Sequence, residues 1–197
     1  TIKLITWTLY TFQGSETVGI FAALGNVLGV SHPIMFGISG LIVPGVAKAR
    51  AEQGLAAARR YAIKLSAIGG TLLLPYFIFL LICPALALRI FAGAHSPYLK
   101  YTTELRWFVL QYIAVYLSVV TTALLNGMEA PRWTFMGQLS NAIVSTLFRV
   151  PIAALAGLSA AVWSGVLTYG VHVVVNVFGL RAAGKAQEKS SFPPLEQ

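Results

Sequence analysis

Four polar side chains lie deep inside apolar stretches of this sequence: Lys3, Asn26, His32 and Arg149. Polar groups at the centre of a bilayer are costly, so they usually face the interior of a helical bundle or a water-filled cavity. Lysine, arginine and protonated histidine donate charge-assisted hydrogen bonds to phosphate oxygens. For Lys3 we therefore predict a cavity or an anionic partner, and we take all four residues as candidates for substrate binding. The alternatives are a hydrogen bond to a neighbouring helix for His32 and extension towards the lipid headgroups for Arg149.

Signatures of other site chemistries do not occur in the sequence. The single cysteine, Cys83, excludes a disulfide within the chain and a CxxC metal site. No HExxH, Walker or GxSxG motif occurs, so we expect no metal site, no cofactor and no enzymatic activity. One loop could cluster acid and base groups, and it contains His95, Lys100, Glu104 and Arg106.

The composition is typical of a membrane protein. Of the 197 residues, 57% are hydrophobic and 10% are charged, and the mean hydropathy is +0.75. A typical globular domain has about 25% charged residues. Since one crossing of a hydrocarbon core needs roughly 20 apolar residues, we predict an all-α, polytopic membrane helix bundle.

Five complete transmembrane helices and the end of a sixth are predicted. The apolar stretch from Trp133 to Leu180 is about twice as long as one span. The segment LAGLSAA (Leu155–Ala161) provides small residues for a turn, so we divide this stretch into two helices. The transmembrane lobe is predicted to cover residues 1–183, and the polar residues 184–197 are predicted to be a disordered tail. The predicted helices are residues 1–12 (partial), 18–46, 62–88, 103–126, 133–155 and 159–180.

The basic residues predict the orientation, because short cytoplasmic loops carry an excess of Lys and Arg. Nine of the fourteen basic residues lie in the loop after the 18–46 span, in the loop GMEAPRW (Gly127–Trp133) and in the tail. These three segments must share one side, which is predicted to be cytoplasmic together with the C-terminus. We therefore attribute the net charge of +8 to the determination of membrane orientation and to contact with anionic lipids, and we expect no nucleic-acid partner.

The 18–46 span is predicted to have one small face. Gly, Ala, Asn and Pro recur along it at steps of four and three residues, a pattern that lets helix backbones approach or leaves room for a ligand. His32 lies at the edge of this face, near the middle of the span. Lys3 lies about 15 Å inside the first helix. His172 and Asn176 share a face of the last span and are interpreted as packing residues.

Three segments carry a resemblance to a known family. GSETVGIFAAL (Gly14–Leu24) is similar to the VGxYxxA sequence that follows a short outer loop in the polysaccharide-biosynthesis flippases, with FAAL in place of the usual tyrosine-containing form. PGVAKA (Pro44–Ala49) resembles the end of the eighth helix of that family, and LLNGMEAPRW (Leu124–Trp133) resembles its hairpin between the tenth and eleventh helices. By the order of these segments, residues 1–183 resemble the C-terminal half of the lipid-linked oligosaccharide flippases, within the multidrug/oligosaccharidyl-lipid/polysaccharide exporter superfamily.

This resemblance implies the carboxy-terminal lobe of a twelve-helix, alternating-access transporter in the bacterial inner membrane. It implies translocation of an undecaprenyl-pyrophosphate-linked oligosaccharide for surface polysaccharide biosynthesis, such as that of lipopolysaccharide. The implied partners are the lipid-linked oligosaccharide, membrane lipids, an N-terminal six-helix lobe and the polysaccharide polymerase machinery. Because cationic residues of the family usually face the cavity, the resemblance places Lys3, His32 and Asn26 on the lumen side.

Three other functions stay open. A drug or metabolite antiporter of the MATE type belongs to the same superfamily, but such antiporters often use a carboxylate in the cavity. The six acidic residues here all lie at predicted helix ends, in loops or in the tail. A membrane-embedded glycan polymerase or ligase would need an acid and base cluster in the loop from Ala92 to Arg106. The third alternative is a non-transporting membrane subunit.

Overall fold

The computed structural model describes the backbone of residues 2–190 and the side chains of residues 3–185, and this part is helical apart from short connections. A 3-10 helix (Pro97–Lys100) and a π-helical segment (Ser145–Arg149) accompany the α-helices. The α-helices are α1 (Ile2–Gln13), α2 (Ser15–Gly29), α3 (His32–Gln53), α4 (Leu55–Ile82), α5 (Pro84–Ala92), α6 (Thr102–Gly127), α7 (Pro131–Val144) and α8 (Val150–Ser190).

Four helical stretches in the described part are long and apolar enough to cross a membrane: His32–Gln53, Leu55–Ile82, Thr102–Gly127 and Pro131–Lys185. The predicted all-α class with apolar spans is confirmed. The last stretch is 55 residues long, and it is interrupted at Gly157, inside the segment predicted to turn. The number of five complete crossings stays a prediction.

Single glycines connect antiparallel helices at three places. Gly14 links α1 to α2 with φ +86°, Gly54 links α3 to α4 with φ +82°, and Gly157 interrupts α8 with φ +72°. Residues with a Cβ rarely adopt these dihedrals, so glycine permits a reversal without a longer loop. The reversal at Gly157 brings Gly137 of α7 against His172 of α8.

The predicted span 18–46 is not one continuous helix, because α2 ends at Gly29 and α3 begins at His32. Proline at position 33 has no N–H to donate to the preceding turn. At the break the Ser31 N–H donates to the Leu28 carbonyl at 3.0 Å. The carbonyl of Val27 instead accepts a hydrogen bond from the Tyr76 hydroxyl of α4. The continuous small face expected from the sequence is therefore divided between two helices.

Two predicted boundaries also differ from the structure. The predicted span 62–88 is divided at Cys83, since α4 ends at Ile82 and Pro84 begins the separate α5. The predicted tail begins at residue 184, whereas α8 continues to Ser190, over a segment rich in the helix formers Ala, Lys, Gln and Glu. The rest of that predicted tail, residues 191–197, lies outside the described residues.

Helix α6 lies at the centre of the bundle, in contact with α2, α3, α4, α5, α7 and α8. The loops that connect the helices lie at the two ends of the bundle. At one end Arg50 of α3 donates to the Met128 carbonyl at 2.7 Å, and the Arg59 side chain of α4 lies against Gly184 of α8. The three basic segments used for the orientation therefore lie at the same end of the bundle. At the other end Gln13 donates to the Ala154 carbonyl at 3.0 Å.

Candidate functional site

Lys3 and Asn26 lie at similar depth on the hairpin of α1 and α2. Lys3 precedes the connecting Gly14 by 11 residues and Asn26 follows it by 12 residues. At 1.5 Å per residue both lie roughly 16 to 18 Å from the turn. Both side chains are exposed, in a bundle whose large exposed residues include many aliphatic and aromatic side chains. The hairpin thus presents a cation and an amide at one level of its surface.

Asn26 also borders a small cavity. The cavity has a volume of about 220 Å³ and lies between α2, α5 and the 3-10 helix, with Phe91 and Tyr98 among its lining residues. The amide of Asn26 can donate two hydrogen bonds and accept two. A polar group of a ligand can therefore be held here beside an aromatic ring.

His32 contacts a different neighbour, Tyr112 of α6. The two rings are stacked with centroids 5.5 Å apart, and His32 Nε2 lies 3.2 Å from the Tyr112 hydroxyl. Phe36 lies one turn further along α3, with its ring centroid 5.6 Å from the imidazole. The hydrogen bond to a neighbouring helix, one of the two interpretations of His32, is present in the structure. The ring is half-buried, so part of it stays accessible beyond the break in the helix.

Arg149 is buried inside the bundle, with 1% of its surface exposed. Its Nε donates to the Ala161 carbonyl at 2.9 Å and its Nη2 donates to Gln111 Oε1 at 3.2 Å. Nη1 has no hydrogen-bond partner among the described residues. The alternative that Arg149 extends outward to the headgroups is wrong, and the structure does not bring Arg149 to the exposed surface of Lys3 and Asn26.

The local cause of this burial is the π-helical segment that ends at Arg149. The Val150 N–H donates to the carbonyl of Ser145, five residues earlier, and Pro151 follows with no N–H of its own. Such an extra residue in a turn changes which side chains face the bundle. Composition and hydropathy contain no signal for it.

A second buried polar cluster joins α6 and α8. Ser118 Oγ lies 3.1 Å from His172 Nδ1, and Asn176 Nδ2 donates to the hydroxyls of Thr121 at 3.1 Å and Thr122 at 2.9 Å. Gly137 of α7 packs directly onto this cluster, because a Cβ there would lie 2.9 Å from the His172 ring. These contacts agree with the interpretation of His172 and Asn176 as packing residues. Gln111, one polar residue within the apolar α6, was not among the predicted residues.

Of the four titratable residues in the segment from Ala92 to Arg106, three have separate partners, and Glu104 and Arg106 lie in the first turns of α6. Glu104 accepts a hydrogen bond from Ser159 at 2.6 Å, and Arg106 Nε donates to the Leu81 carbonyl at 3.1 Å. Lys100 lies over the Tyr101 ring. The structure therefore does not assemble these groups into one acid and base site. Within the described residues, no group of three or more His, Cys, Asp or Glu could hold a metal ion.

Comparisons with protein-family models, with curated proteins and with solved structures found no match for this chain.

Proposed function

We propose that this chain is the C-terminal lobe of an alternating-access flippase for undecaprenyl-pyrophosphate-linked oligosaccharides in the bacterial inner membrane. One observation carries the proposal: exposed Lys3 and exposed Asn26 lie at the same depth of the hairpin of α1 and α2. A cation at such depth is costly against lipid tails but not against water or a bound anion. This hairpin then borders a polar cavity that an N-terminal lobe completes, since such cavities lie between two halves of a transporter.

The surface of α1 supports an amphiphilic glycan substrate. Lys3, Trp7 and Tyr10 follow one another at steps of four and three residues, so they share one face of the helix. Trp7 is 68% exposed and Tyr10 is 60% exposed. The lysine supplies positive charge for a pyrophosphate. The aromatic side chains supply flat apolar surface together with an N–H and an O–H for hydrogen bonds to hydroxyls.

The break between α2 and α3 supports a conformational role for this segment. Val30 and Ser31 keep right-handed helical dihedrals, so the chain continues in one direction but with a changed hydrogen-bond pattern. Breaks at such positions are tolerated where neighbours or a cavity satisfy the freed carbonyls. Here Tyr76 satisfies one of them. In the proposal, His32 lies immediately beyond this break and reaches the same cavity as Lys3.

The proposal is tested by glycan export in cells, normalised to the amount of correctly inserted protein. Lys3→Ala is expected to lower export per molecule strongly, and Lys3→Arg is expected to preserve part of it because the positive charge remains. His32→Ala is expected to cause a milder loss with an altered pH dependence. Lys64→Ala is the matched control, because Lys64 is also an exposed lysine but lies on α4.

Normal export per inserted molecule in both Lys3→Ala and His32→Ala would remove these residues from the mechanism. A loss of export that only follows a loss of inserted protein would indicate that Lys3 and His32 stabilise helix packing instead. An equal loss in the Lys64→Ala control would show that any lysine removal impairs export, and the assignment of the α1 surface would then fail.

A further inference from the structure

An apolar groove lies between α4, α6 and α8, away from the surface that carries Lys3 and Asn26. Its volume is about 580 Å³, within the range of roughly 300 to 1,000 Å³ of small-molecule pockets. No residue of α1, α2 or α3 lines it, and its walls include Ala67, Tyr116 and Val177. From Arg59 to Ala67 the α4 wall is about 12 Å long at 1.5 Å per residue. The groove is therefore long enough for part of an acyl chain.

The few polar groups in the groove walls are already hydrogen-bonded within the protein. Ser66 Oγ donates to the Ala62 carbonyl at 2.6 Å, and the Tyr116 hydroxyl donates to the Ser66 carbonyl at 2.5 Å. Thr121 Oγ1 donates to the Leu117 carbonyl at 2.8 Å. With these groups satisfied, the walls offer hydrocarbon surface to an occupant, and burial of each methylene of an acyl chain is favourable by about 0.8 kcal/mol.

Two arginines lie at one mouth of this groove. Arg59 of α4 and Arg181 of α8 both line it. The Arg59 guanidinium lies against the backbone of Gly184, within one helical turn of Arg181. Among the described side chains the ion pairs are Lys48 with Glu52 and Arg50 with Glu129, so neither groove arginine has a carboxylate partner there. Two guanidiniums without a carboxylate partner among the described side chains, next to an apolar groove, complement one phosphate attached to a hydrocarbon chain.

We propose that this groove is a binding site for an anionic glycerophospholipid of the surrounding membrane. Arg59 and Arg181 hold the phosphodiester, and one acyl chain lies along α4 and α6. The mouth belongs to the bundle end where the basic segments gather, and that end attracts anionic headgroups. The lipid fills the space between α4 and α8 and so stabilises the contact of Arg59 with the end of α8. This proposal does not depend on the transport proposed above, because it concerns a separate surface.

The test measures lipids retained by the purified protein after reconstitution with equal amounts of phosphatidylglycerol and phosphatidylcholine, read by native mass spectrometry. The protein is expected to retain phosphatidylglycerol preferentially, and the double variant Arg59→Gln/Arg181→Gln is expected to bind it roughly 30-fold more weakly. A 30-fold change in the dissociation constant equals about 2 kcal/mol of binding free energy, because each tenfold change equals about 1.4 kcal/mol. The matched control is Arg60→Gln/Arg132→Gln, which removes two exposed arginines at the same end that do not line the groove. It is expected to retain the preference.

A second arm tests the apolar part of the site. Ala67→Phe fills the groove while both arginines remain, and it is expected to lower retention of phosphatidylglycerol. A photoreactive residue in place of Ile63, which lines the groove and is 67% exposed, is expected to crosslink to lipid. Displacement of the retained lipid by millimolar inorganic phosphate would show that the headgroup alone is recognised, and this would overturn the proposal. Equal losses in the arginine variant and its control, or crosslinking of position 63 to protein instead of lipid, would overturn it as well.

Discussion

Replacement of Gly165 by alanine tests the buried cluster around Arg149 most directly. A Cβ on Gly165 would overlap the amide of Gln111 and lie 2.8 Å from Arg149 Nη2. Both side chains are buried, so neither can move aside into open space. The substitution must therefore displace the hydrogen bond between Arg149 and Gln111, which is 3.2 Å long in the structure.

The expected change in the free energy of unfolding follows from one favourable and two unfavourable effects. Alanine in place of glycine within a helix is ordinarily favourable by up to about 1 kcal/mol. Overpacking of a core typically costs about 1 to 3 kcal/mol, and a lost hydrogen bond to a charged group costs about 1.5 to 3 kcal/mol. We therefore expect Gly165→Ala to lower the free energy of unfolding by roughly 3 kcal/mol. The matched control is Gly170→Ala in the same helix, where a Cβ would meet nothing within 4 Å. It is expected to be neutral or slightly stabilising.

The assay is equilibrium unfolding in mixed detergent and lipid micelles, followed by tryptophan fluorescence. The double variant Gly165→Ala/Gln111→Ala adds an internal check, because the hydrogen bond between Gln111 and Arg149 can be lost only once. Its cost is expected to be smaller than the sum of the two single costs by at least about 1 kcal/mol. If Gly165→Ala unfolds at the same midpoint as Gly170→Ala, or if the two single costs add fully, the described packing around Arg149 is wrong.

Three further predictions use the same bundle. Arg149→Lys is expected to lower the free energy of unfolding by roughly 2 kcal/mol, because an ammonium keeps the buried charge but loses the planar guanidinium that reaches two acceptors. Arg149→Met is expected to stay within about 1 kcal/mol of the parent, and a much less stable Met variant in the unfolding assay would contradict this. Gly54→Ala is expected to lower the free energy of unfolding by about 1 to 3 kcal/mol, because alanine is strained at the positive φ of this position. The control Gly40→Ala is expected to be neutral, since an added Cβ there meets nothing within 4 Å, and equal unfolding midpoints of the two variants would refute the backbone strain at position 54. In a background without the native cysteine, a cysteine in place of Ser96 is expected to react with a membrane-impermeant thiol reagent on intact cells. A cysteine in place of Gln53 is expected to react only after permeabilisation, and the reverse pattern would contradict the predicted orientation.

Membrane location and the all-helical class follow from composition and hydropathy alone. Runs of apolar residues long enough to cross a hydrocarbon core leave few other stable structures, because every backbone group in lipid must be hydrogen-bonded within the protein. The small residues around Gly157 also indicated a turn in the long last stretch, since a reversal of two packed helices needs a residue that tolerates positive φ. These features depend on local sequence, and local sequence was enough to predict them.

Tertiary packing decided which polar residues are exposed. In the sequence, Lys3 and Arg149 are both cations within apolar stretches, and extension towards the headgroups was an alternative for Arg149. In the structure Lys3 is exposed and Arg149 is buried against Gln111. The difference depends on helix rotation, on the π-helical segment, and on a neighbour 38 residues away in the chain. A hydropathy pattern shows how deep a residue lies but not which direction its side chain faces.

The groove between α4, α6 and α8 depends on tertiary structure in the same way. Arg59 and Arg181 were counted in the sequence only as part of the basic excess that sets orientation. They line the same groove because Gly54, Gly157 and the connection after α6 bring segments from distant parts of the chain to one end of the bundle. The sequence by itself determined that this end carries positive charge. Only the packing of the helices placed two of those charges at the mouth of an apolar groove, because contacts between distant helices depend on shape complementarity along their whole length.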